Sequence, residues 1–190
     1  MAFENSNALV GKLLLATPQM DDPRFSRAVI FICAHDANGA MGLVINQKLL
    51  NIDMPGLYAQ LGIEHEHVHA MDEPVLQGGP VEAQRGFILH GSDFSQKDTI
   101  RVNDQFSVTG TLEALRVLGQ GDGPSEFLFM LGYAGWGEGQ LERELEDNAW
   151  LTIDPTSELL FHTEPDLKWD AAIATLGFNP SFLSAQAGHA

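Results

Sequence analysis

The chain has 190 residues, of which 44% are hydrophobic and 19% charged, an ordinary composition for a globular protein with one buried core. Its 26 acidic side chains outnumber its 10 basic ones and give a formal net charge of −16. A field of this sign repels polyanions, and no cluster of Lys and Arg interrupts it. The composition therefore argues against direct binding to duplex DNA or to anionic membrane surfaces.

The start of the chain and its cysteine content bear on the compartment. The opening residues, MAFENSNALVGK, place an acid before any base and hold only a short apolar run, unlike a signal peptide. No segment approaches the roughly 20 apolar residues of a membrane span. Cys33 is the only cysteine, so the chain cannot form an internal disulfide. We therefore expect a cytoplasmic protein without a membrane segment.

The first part of the chain predicts three strands. Residues 9–17 are an apolar run typical of a buried strand, and two prolines break PQMDDPRF, residues 18–25, into a loop. Residues 28–35 and 41–47 predict two further strands. They are joined by DANGA at 36–40, whose Asn-Gly pair favours positive φ, so we predict a hairpin.

The remainder mixes strands and helices without a regular strand-helix repeat. A polar segment, 48–73, predicts no definite element, and PVLQGGPV at 74–81 is a glycine-proline turn. We predict an α+β fold with a mostly antiparallel or mixed sheet, in a single domain spanning 1–190 with a core at about 8–180. Strands are predicted at 85–91, 100–109, 126–135, 149–154 and 158–163, and helices at 111–119, 141–148 and 165–177.

Four blocks of this sequence, in this order, resemble the AlgH/YqgE family of bacterial proteins. They are LLLATPQMDDPRFSRAV, CAHDANGAMGLVINQ, GGPV with RGFILH, and GYAGWGEGQLERELEDNAWL. The resemblance implies a compact α+β domain with a mixed, partly barrel-like sheet, located in the bacterial cytoplasm, with no established enzymatic activity. One namesake is associated with regulation of alginate production. The resemblance therefore favours a regulatory role and supplies neither catalytic residues nor a cofactor, and we expect none.

The segment GYAGWGEGQLERELEDN, residues 132–148, leads from a strand into a helix through a glycine-rich turn, a geometry that binds phosphate in some proteins. Its alternating glycines fit neither the dinucleotide-binding pattern nor the P-loop. Three of its glutamates lie where the helix would attract an anion, so a phosphate would be repelled. We therefore predict a structural corner. The glycines are Gly135, Gly137 and Gly139, and the glutamates are Glu138, Glu142 and Glu144.

The functional use left to this corner is recognition of a protein partner, or of a neutral or cationic ligand. We expect its tryptophan to bury one ring edge and leave one face open. The loop 18–25 and the glycine-proline turn are further candidates because proline and glycine preorganise them, although exposed turn chemistry explains them equally well. The candidate binding residues are Asp22, Arg24, Gly78, Gly79, Tyr133 and Trp136.

Cys33 and His35 raise an enzymatic alternative, a thiol redox protein. The two residues share a face if the strand alternates regularly, which would place His35 to help form a thiolate. Residues two apart on a strand are, however, about 6.5–7 Å from one another. The sequence therefore favours a buried, inert cysteine beside Phe31.

The histidine-rich segment EHEHVH, residues 64–69, raises a second enzymatic alternative, a metal-assisted hydrolase. If the segment is extended, His65, His67 and His69 share one side, where two of them can chelate a metal. An exposed loop with adventitious Zn²⁺ or Ni²⁺ affinity is the favoured interpretation. Among these classes we favour a binding and regulatory protein that acts through a protein partner.

Overall fold

Nine strands form one sheet in the computed structural model, which describes residues 8–179. The predicted domain span of 1–190 extends past the described residues at both ends. The strands are β1 (Leu13–Ala16), β2 (Val29–Asp36), β3 (Gly39–Val44), β4 (Val75–Gln77), β5 (Val81–Gly91), β6 (Ile100–Arg101), β7 (Phe106–Thr109), β8 (Phe127–Trp136) and β9 (Trp150–Ile153).

The sheet is mixed and mostly antiparallel. Its order is β6-β7-β5-β8-β3-β2-β1-β9, and β4 lies alongside β8 in the one parallel pairing within the described residues. Within the described residues, five helices pack on it, together with a 3-10 turn at Pro23–Phe25 and a π-helical turn at Glu158–His162. The helices are α1 (Met54–Leu61), α2 (Val68–Asp72), α3 (Leu112–Gly119), α4 (Gln140–Glu146) and α5 (Pro165–Ala174).

Strand β1 shows why the apolar runs of this sequence are continuous and do not alternate. Leu13 and Leu15 pack in one core, and Leu14 and Ala16 pack in another on the opposite face of the sheet. All four are almost completely buried. A strand covered on both faces needs apolar side chains at every position, so the α+β prediction and its buried first strand are confirmed.

The predicted hairpin of β2 and β3 is present and closes over a two-residue turn. Asp36 pairs with Gly39 across the ladder, and the Asp36 carboxylate accepts the Asn38 backbone N–H at 2.7 Å. This side-chain bond fixes the turn, as expected for an Asx residue.

Strand β8 explains the curl of the sheet into half a barrel. Residues 127–131 pair with β5 and in part with β4, whereas residues 134–136 pair with β3. Between them, Gly132 has φ +78°, and a Cβ there would lie 2.3 Å from the Gly79 carbonyl oxygen. The strand therefore bends where only glycine fits, and the partly barrel-like sheet implied by the resemblance is confirmed.

Residues 158–163 do not form the predicted strand, because most of them belong to the π-helical turn. Leu159 and Leu160 both pack in the core shared with β1 and α5. Adjacent side chains of a strand would point to opposite faces, so only a helical turn buries both on one side. The Thr156 hydroxyl accepts the Leu159 N–H at 3.1 Å and holds the start of the turn.

The predicted strand at 100–109 is instead a hairpin of β6 and β7. The Asn103 side-chain oxygen accepts the backbone N–H groups of Gln105 and Phe106 at 2.9 and 2.8 Å, which makes a tight turn in mid-segment. The polar segment 48–73 holds the short helices α1 and α2.

Candidate binding cleft

Three segments that are far apart in the sequence line one cleft of about 550 Å³. They are the loop 19–25, the turn between β4 and β5, and the corner from β8 through α4 to β9. Three of the predicted binding residues, Asp22, Arg24 and Trp136, meet in this cleft. The sequence did not indicate five other lining residues for this role, namely Asp21, Phe25, Glu144, Asp147 and Trp150.

Asp22 and Arg24 pair with one another at one wall of the cleft. The Asp22 carboxylate accepts the Arg24 backbone N–H at 3.0 Å and Arg24 Nη2 at 2.8 Å. The side-chain hydrogen bond with Arg24 lowers the pKa of Asp22, so the carboxylate is ionised at neutral pH. Because Asp22 also caps the 3-10 turn that Pro23 begins, the loop is a preorganised wall.

Glu144 ties together the aromatic floor of the cleft. Its Oε2 accepts the indole N–H groups of Trp136 at 2.9 Å and of Trp150 at 2.7 Å. Its Oε1 accepts the Gln140 side-chain N–H at 2.9 Å. A buried indole requires an acceptor, and one carboxylate supplies it to two tryptophans. The only local sequence signal for this role is the four-residue spacing of Gln140 and Glu144.

Trp136 is more deeply buried than the sequence prediction of one open face allows. It is 7% exposed and packs against Trp150, with ring centroids 6.1 Å apart and an interplanar angle of 75°. The ring lies against the core formed by β1, β2 and α4, whose apolar side chains enclose it. Trp136 is therefore part of the floor of the cleft and does not protrude from it.

The glycine-rich turn before α4 is a closed structural corner. The Gly137 N–H donates to the Gln140 side-chain oxygen at 3.0 Å, and Gly139 has φ +68° where the helix begins. Glu142, in the first turn of α4, lies 2.5 Å from His35 Nε2. The Gly137 N–H is therefore already bonded, and Glu142 places a negative charge in the first turn of the helix, which supports the structural interpretation over a phosphate cradle.

Gly78 and Gly79 are required for close packing of the chain. A Cβ at Gly79 would lie 2.0 Å from the Tyr133 carbonyl carbon, and a Cβ at Gly78 would lie 2.3 Å from the Gly132 oxygen. Both glycines let the turn after β4 cross β8 at backbone contact distance. They position the neighbouring Pro80 at the cleft.

Tyr133 lies on the opposite face of β8 from Trp136. Its ring packs edge to face on Phe87, with centroids 6.1 Å apart, in the core that also holds Cys33. The two rings pack in different cores, but both residues line one further cavity of about 510 Å³. Contact of one partner with both Tyr133 and Trp136 stays a prediction.

A β-bulge lies at Cys33, between Ile32 and Ala34, and breaks the regular alternation on which the pairing of Cys33 with His35 depends. Cys33 packs in the core with Phe31, and burial raises the pKa of its thiol to about 12. His35 bonds instead to Glu142. The predicted thiolate-forming pair is therefore not assembled, and Cys33 is a buried apolar side chain, as the favoured interpretation expected.

The histidine segment is not extended, because α2 begins at Val68. His67 Nδ1 accepts the Ala70 N–H at 3.1 Å as the helix cap, and the His65 ring packs edge to face on Tyr58. Only His67 and His69 are neighbours, with ring centroids 6.0 Å apart. Within residues 8–179, no group of three or more His, Cys, Asp or Glu side chains is placed to hold a metal ion. His65, His67 and His69 therefore do not form the cluster that the metal-dependent alternative requires.

A second cavity, of about 740 Å³, lies between α1, the end of α2 and the start of α5. Lys168 of α5 lies at this cavity and is completely buried. Its Nζ donates to the carbonyl oxygens of Leu160 at 2.8 Å and Ile45 at 3.1 Å. No local sequence pattern identifies this lysine, because its burial depends on the packing of α5 against the sheet.

None of the helices within residues 8–179 has the length and apolar character that a bilayer span requires.

Comparison with known proteins gives the chain its family. A model of the AlgH-like family matches residues 13–181. A UPF0301 protein of Jannaschia sp. is 48% identical over 184 residues, covering 96% of this chain and 95% of the relative. A UPF0301 protein of Rhodopseudomonas palustris is 47% identical over 195 residues, covering 99% of this chain and 89% of the relative.

Two solved structures share the fold. The solution structure of the AlgH protein from Pseudomonas aeruginosa has a TM-score of 0.77 and 39% sequence identity, and the match covers 96% of each chain. Protein DIP2367 of Corynebacterium diphtheriae has a TM-score of 0.69 at 17% identity, with 92% of this chain and 94% of that chain covered, and it supports the fold alone. The resemblance seen in the four sequence blocks is therefore confirmed, and the chain belongs to the AlgH-like family.

Proposed function

We propose that this chain is a non-enzymatic binding protein with a regulatory role in the bacterial cytoplasm, and that a protein partner occupies the cleft. One observation carries the proposal: the loop 19–25, the turn at Pro80 and the corner around Trp136 converge on one preorganised concave surface. Preorganised walls reduce the entropy lost on association. The regulatory association of one family namesake supports the same conclusion.

The geometry gives less support to the two enzymatic alternatives. A redox cysteine needs an accessible, low-pKa thiol, and Cys33 is 9% exposed with a pKa raised by burial. A metal-assisted hydrolase needs at least three convergent protein ligands, and residues 8–179 hold no such group. Binding is the activity that the arrangement of the cleft supports best.

The test compares two charge-reversal variants of the tagged protein, produced in the cells from which the chain comes. The cleft variant carries Asp21→Lys and Asp147→Lys, both at exposed positions of the cleft. The matched control carries Glu66→Lys and Asp122→Lys, exposed residues outside it. The net charge change is the same in both.

Proteins that co-purify with each form are quantified by mass spectrometry. We expect at least one protein to be retained by the wild type and the control and lost by the cleft variant. Circular dichroism and thermal melting establish that both variants are folded. Identical partner sets for the two variants would show that the cleft is not the partner site.

A further inference from the structure

We propose that the partner presents a basic segment, and that an arginine or lysine side chain of this segment enters the cleft. The inference rests on the proposed function, because it names the chemistry of the partner at the same site. It is carried by the charge of the cleft, the fixed position of Glu144 and the aromatic floor beside it.

The cleft has an excess of negative charge. Among the described residues that line it, four are carboxylates, Asp21, Asp22, Glu144 and Asp147, and Arg24 is the only cationic side chain. Arg24 is already paired with Asp22. None of the other three carboxylates forms an ion pair among the described residues. A cation is the complement that this surface lacks, whereas an anionic ligand would be repelled.

Glu144 is the fixed member of this group. Within residues 8–179, its oxygens accept hydrogen bonds only from uncharged donors, the indoles of Trp136 and Trp150 and the Gln140 amide. These bonds hold the carboxylate in place and leave its charge without a counter-ion. A carboxylate has about four acceptor positions, so one remains for an incoming donor. A guanidinium or ammonium group entering the cleft meets an acceptor that needs no reorganisation.

The aromatic floor suits the apolar stem and the cationic head of such a side chain. Phe25 packs edge to face on Trp150, with centroids 6.0 Å apart, and Trp150 packs likewise on Trp136. The Arg24 guanidinium already lies 5.6 Å from the Phe25 ring centroid while bonded to Asp22. This internal contact combines an aromatic face, a carboxylate and a guanidinium, the same chemistry that we assign to the partner.

The decisive experiment follows the three indole N–H signals of the ¹⁵N-labelled protein by NMR. The probe is an acetylated, amidated Arg-Gly-Arg peptide in about 0.15 M salt, where long-range attraction is screened. The matched probe replaces both arginines with citrulline, which has nearly the same shape and no charge. Trp169 serves as an internal reference, because its N–H donates to the Ala16 carbonyl at 2.9 Å and it does not line the cleft.

We expect saturable shifts of the Trp136 and Trp150 signals with the arginine peptide and none with the citrulline peptide. Asp21→Asn with Asp147→Asn should weaken binding by about tenfold, since each ion pair between a peptide arginine and one of these carboxylates is partly exposed. Glu66→Gln with Asp122→Asn should leave the affinity unchanged. Equal binding of citrulline, equal weakening by both double variants, or no shift of the two signals would overturn the inference.

The outcome separates this inference from the proposed function. If the charge-reversal variant loses its partner but the arginine peptide does not bind, the partner uses the cleft by other chemistry and only the inference fails. If the arginine peptide binds but charge reversal loses no partner, the proposed function fails and the cation-binding chemistry stands.

Discussion

At the scale of single residues, Lys168 of α5 is a lysine whose side chain lies completely inside the protein. Burial lowers its pKa from an ordinary value of 10.5 to about 7, although Glu73 and Glu164 oppose the shift. Two backbone carbonyls satisfy its donors, and no carboxylate forms an ion pair with it within the described residues. A neutral amine satisfies this environment, because its two N–H groups match the two acceptors.

The lowered pKa predicts a pH-dependent contribution of Lys168 to stability. Between pH 7 and about 10 the unfolded chain holds the proton and the folded chain does not, so this residue favours folding more strongly as the pH rises. The contribution falls as the pH drops toward 7. The unfolding free energy of the wild type should rise relative to Lys168→Met by about 1.4 kcal/mol per pH unit in this range.

Urea unfolding of both proteins at several pH values measures this difference. The comparison with Lys168→Met is needed because Cys33 and Tyr58 have pKa values raised by burial to about 12, and they lower stability in alkali. Their contributions cancel between the two proteins. A constant difference across the range would show that Lys168 titrates normally.

Cys33 provides a second prediction at this scale. Because its thiol is buried and its pKa is raised to about 12, labelling of the folded protein by a thiol reagent at neutral pH should be slow. Labelling should become fast in denaturant, which serves as the control for reagent activity. Rapid labelling of the folded protein, together with a depressed thiol pKa, would restore the redox hypothesis.

At the scale of elements, the corner between β8, α4 and β9 depends on Glu144. Glu144→Ala leaves the indole N–H groups of Trp136 and Trp150 without an acceptor. Each unpaired buried donor costs about 1–3 kcal/mol, so the variant should lose about 2–6 kcal/mol of unfolding free energy. Glu144→Gln should lose less, because its amide oxygen still accepts from the indoles.

Chemical denaturation followed by tryptophan fluorescence measures these losses. Glu138→Ala is the matched control, since Glu138 is an exposed glutamate of the same corner. It should change stability by no more than about 0.5 kcal/mol. If Glu144→Ala is as stable as this control, the two tryptophans do not depend on the carboxylate.

The elements show what local sequence decides and what it does not. Apolar runs and turn residues predict β1, the β2 and β3 hairpin and α4 because these depend on neighbours in the chain. The segment 158–162 is apolar but forms a π-helical turn, because Leu159 and Leu160 must reach the same core. Periodicity does not separate a short apolar strand from a short helical turn, so tertiary packing decides the outcome.

At the scale of the whole molecule, strand order assembles the cleft. Pairing of β1 with β9 sets Ala16 opposite Trp150, and pairing of β3 with β8 sets Ala40 opposite Trp136. The first pairing carries the loop 19–25, which follows β1, to the corner around α4. Sequence spacing identifies each segment. No local sequence pattern predicts the long-range strand register that joins the segments. Asp22, Arg24 and Trp136 can therefore be singled out from the sequence one by one, whereas Glu144, Trp150 and the meeting of the segments cannot.

The charge of the whole molecule supports a final prediction, that this protein does not bind duplex DNA directly. Seven of its ten Lys and Arg side chains pair with carboxylates in the structure. Lys168 is buried, so it cannot reach a phosphate. DNA affinity depends on releasing counterions through free cationic side chains.

With a net charge of −16, the protein repels the DNA phosphates, and this repulsion outweighs the free energy gained by counterion release. Fluorescence anisotropy of a labelled duplex should therefore show no saturable complex at about 0.15 M salt. A parallel titration with the arginine peptide establishes that the protein is active in binding cations under the same conditions. A submicromolar complex whose affinity falls steeply with salt would contradict the prediction. Absence of such a complex would mean that any effect on transcription passes through another protein, for which we propose a basic segment.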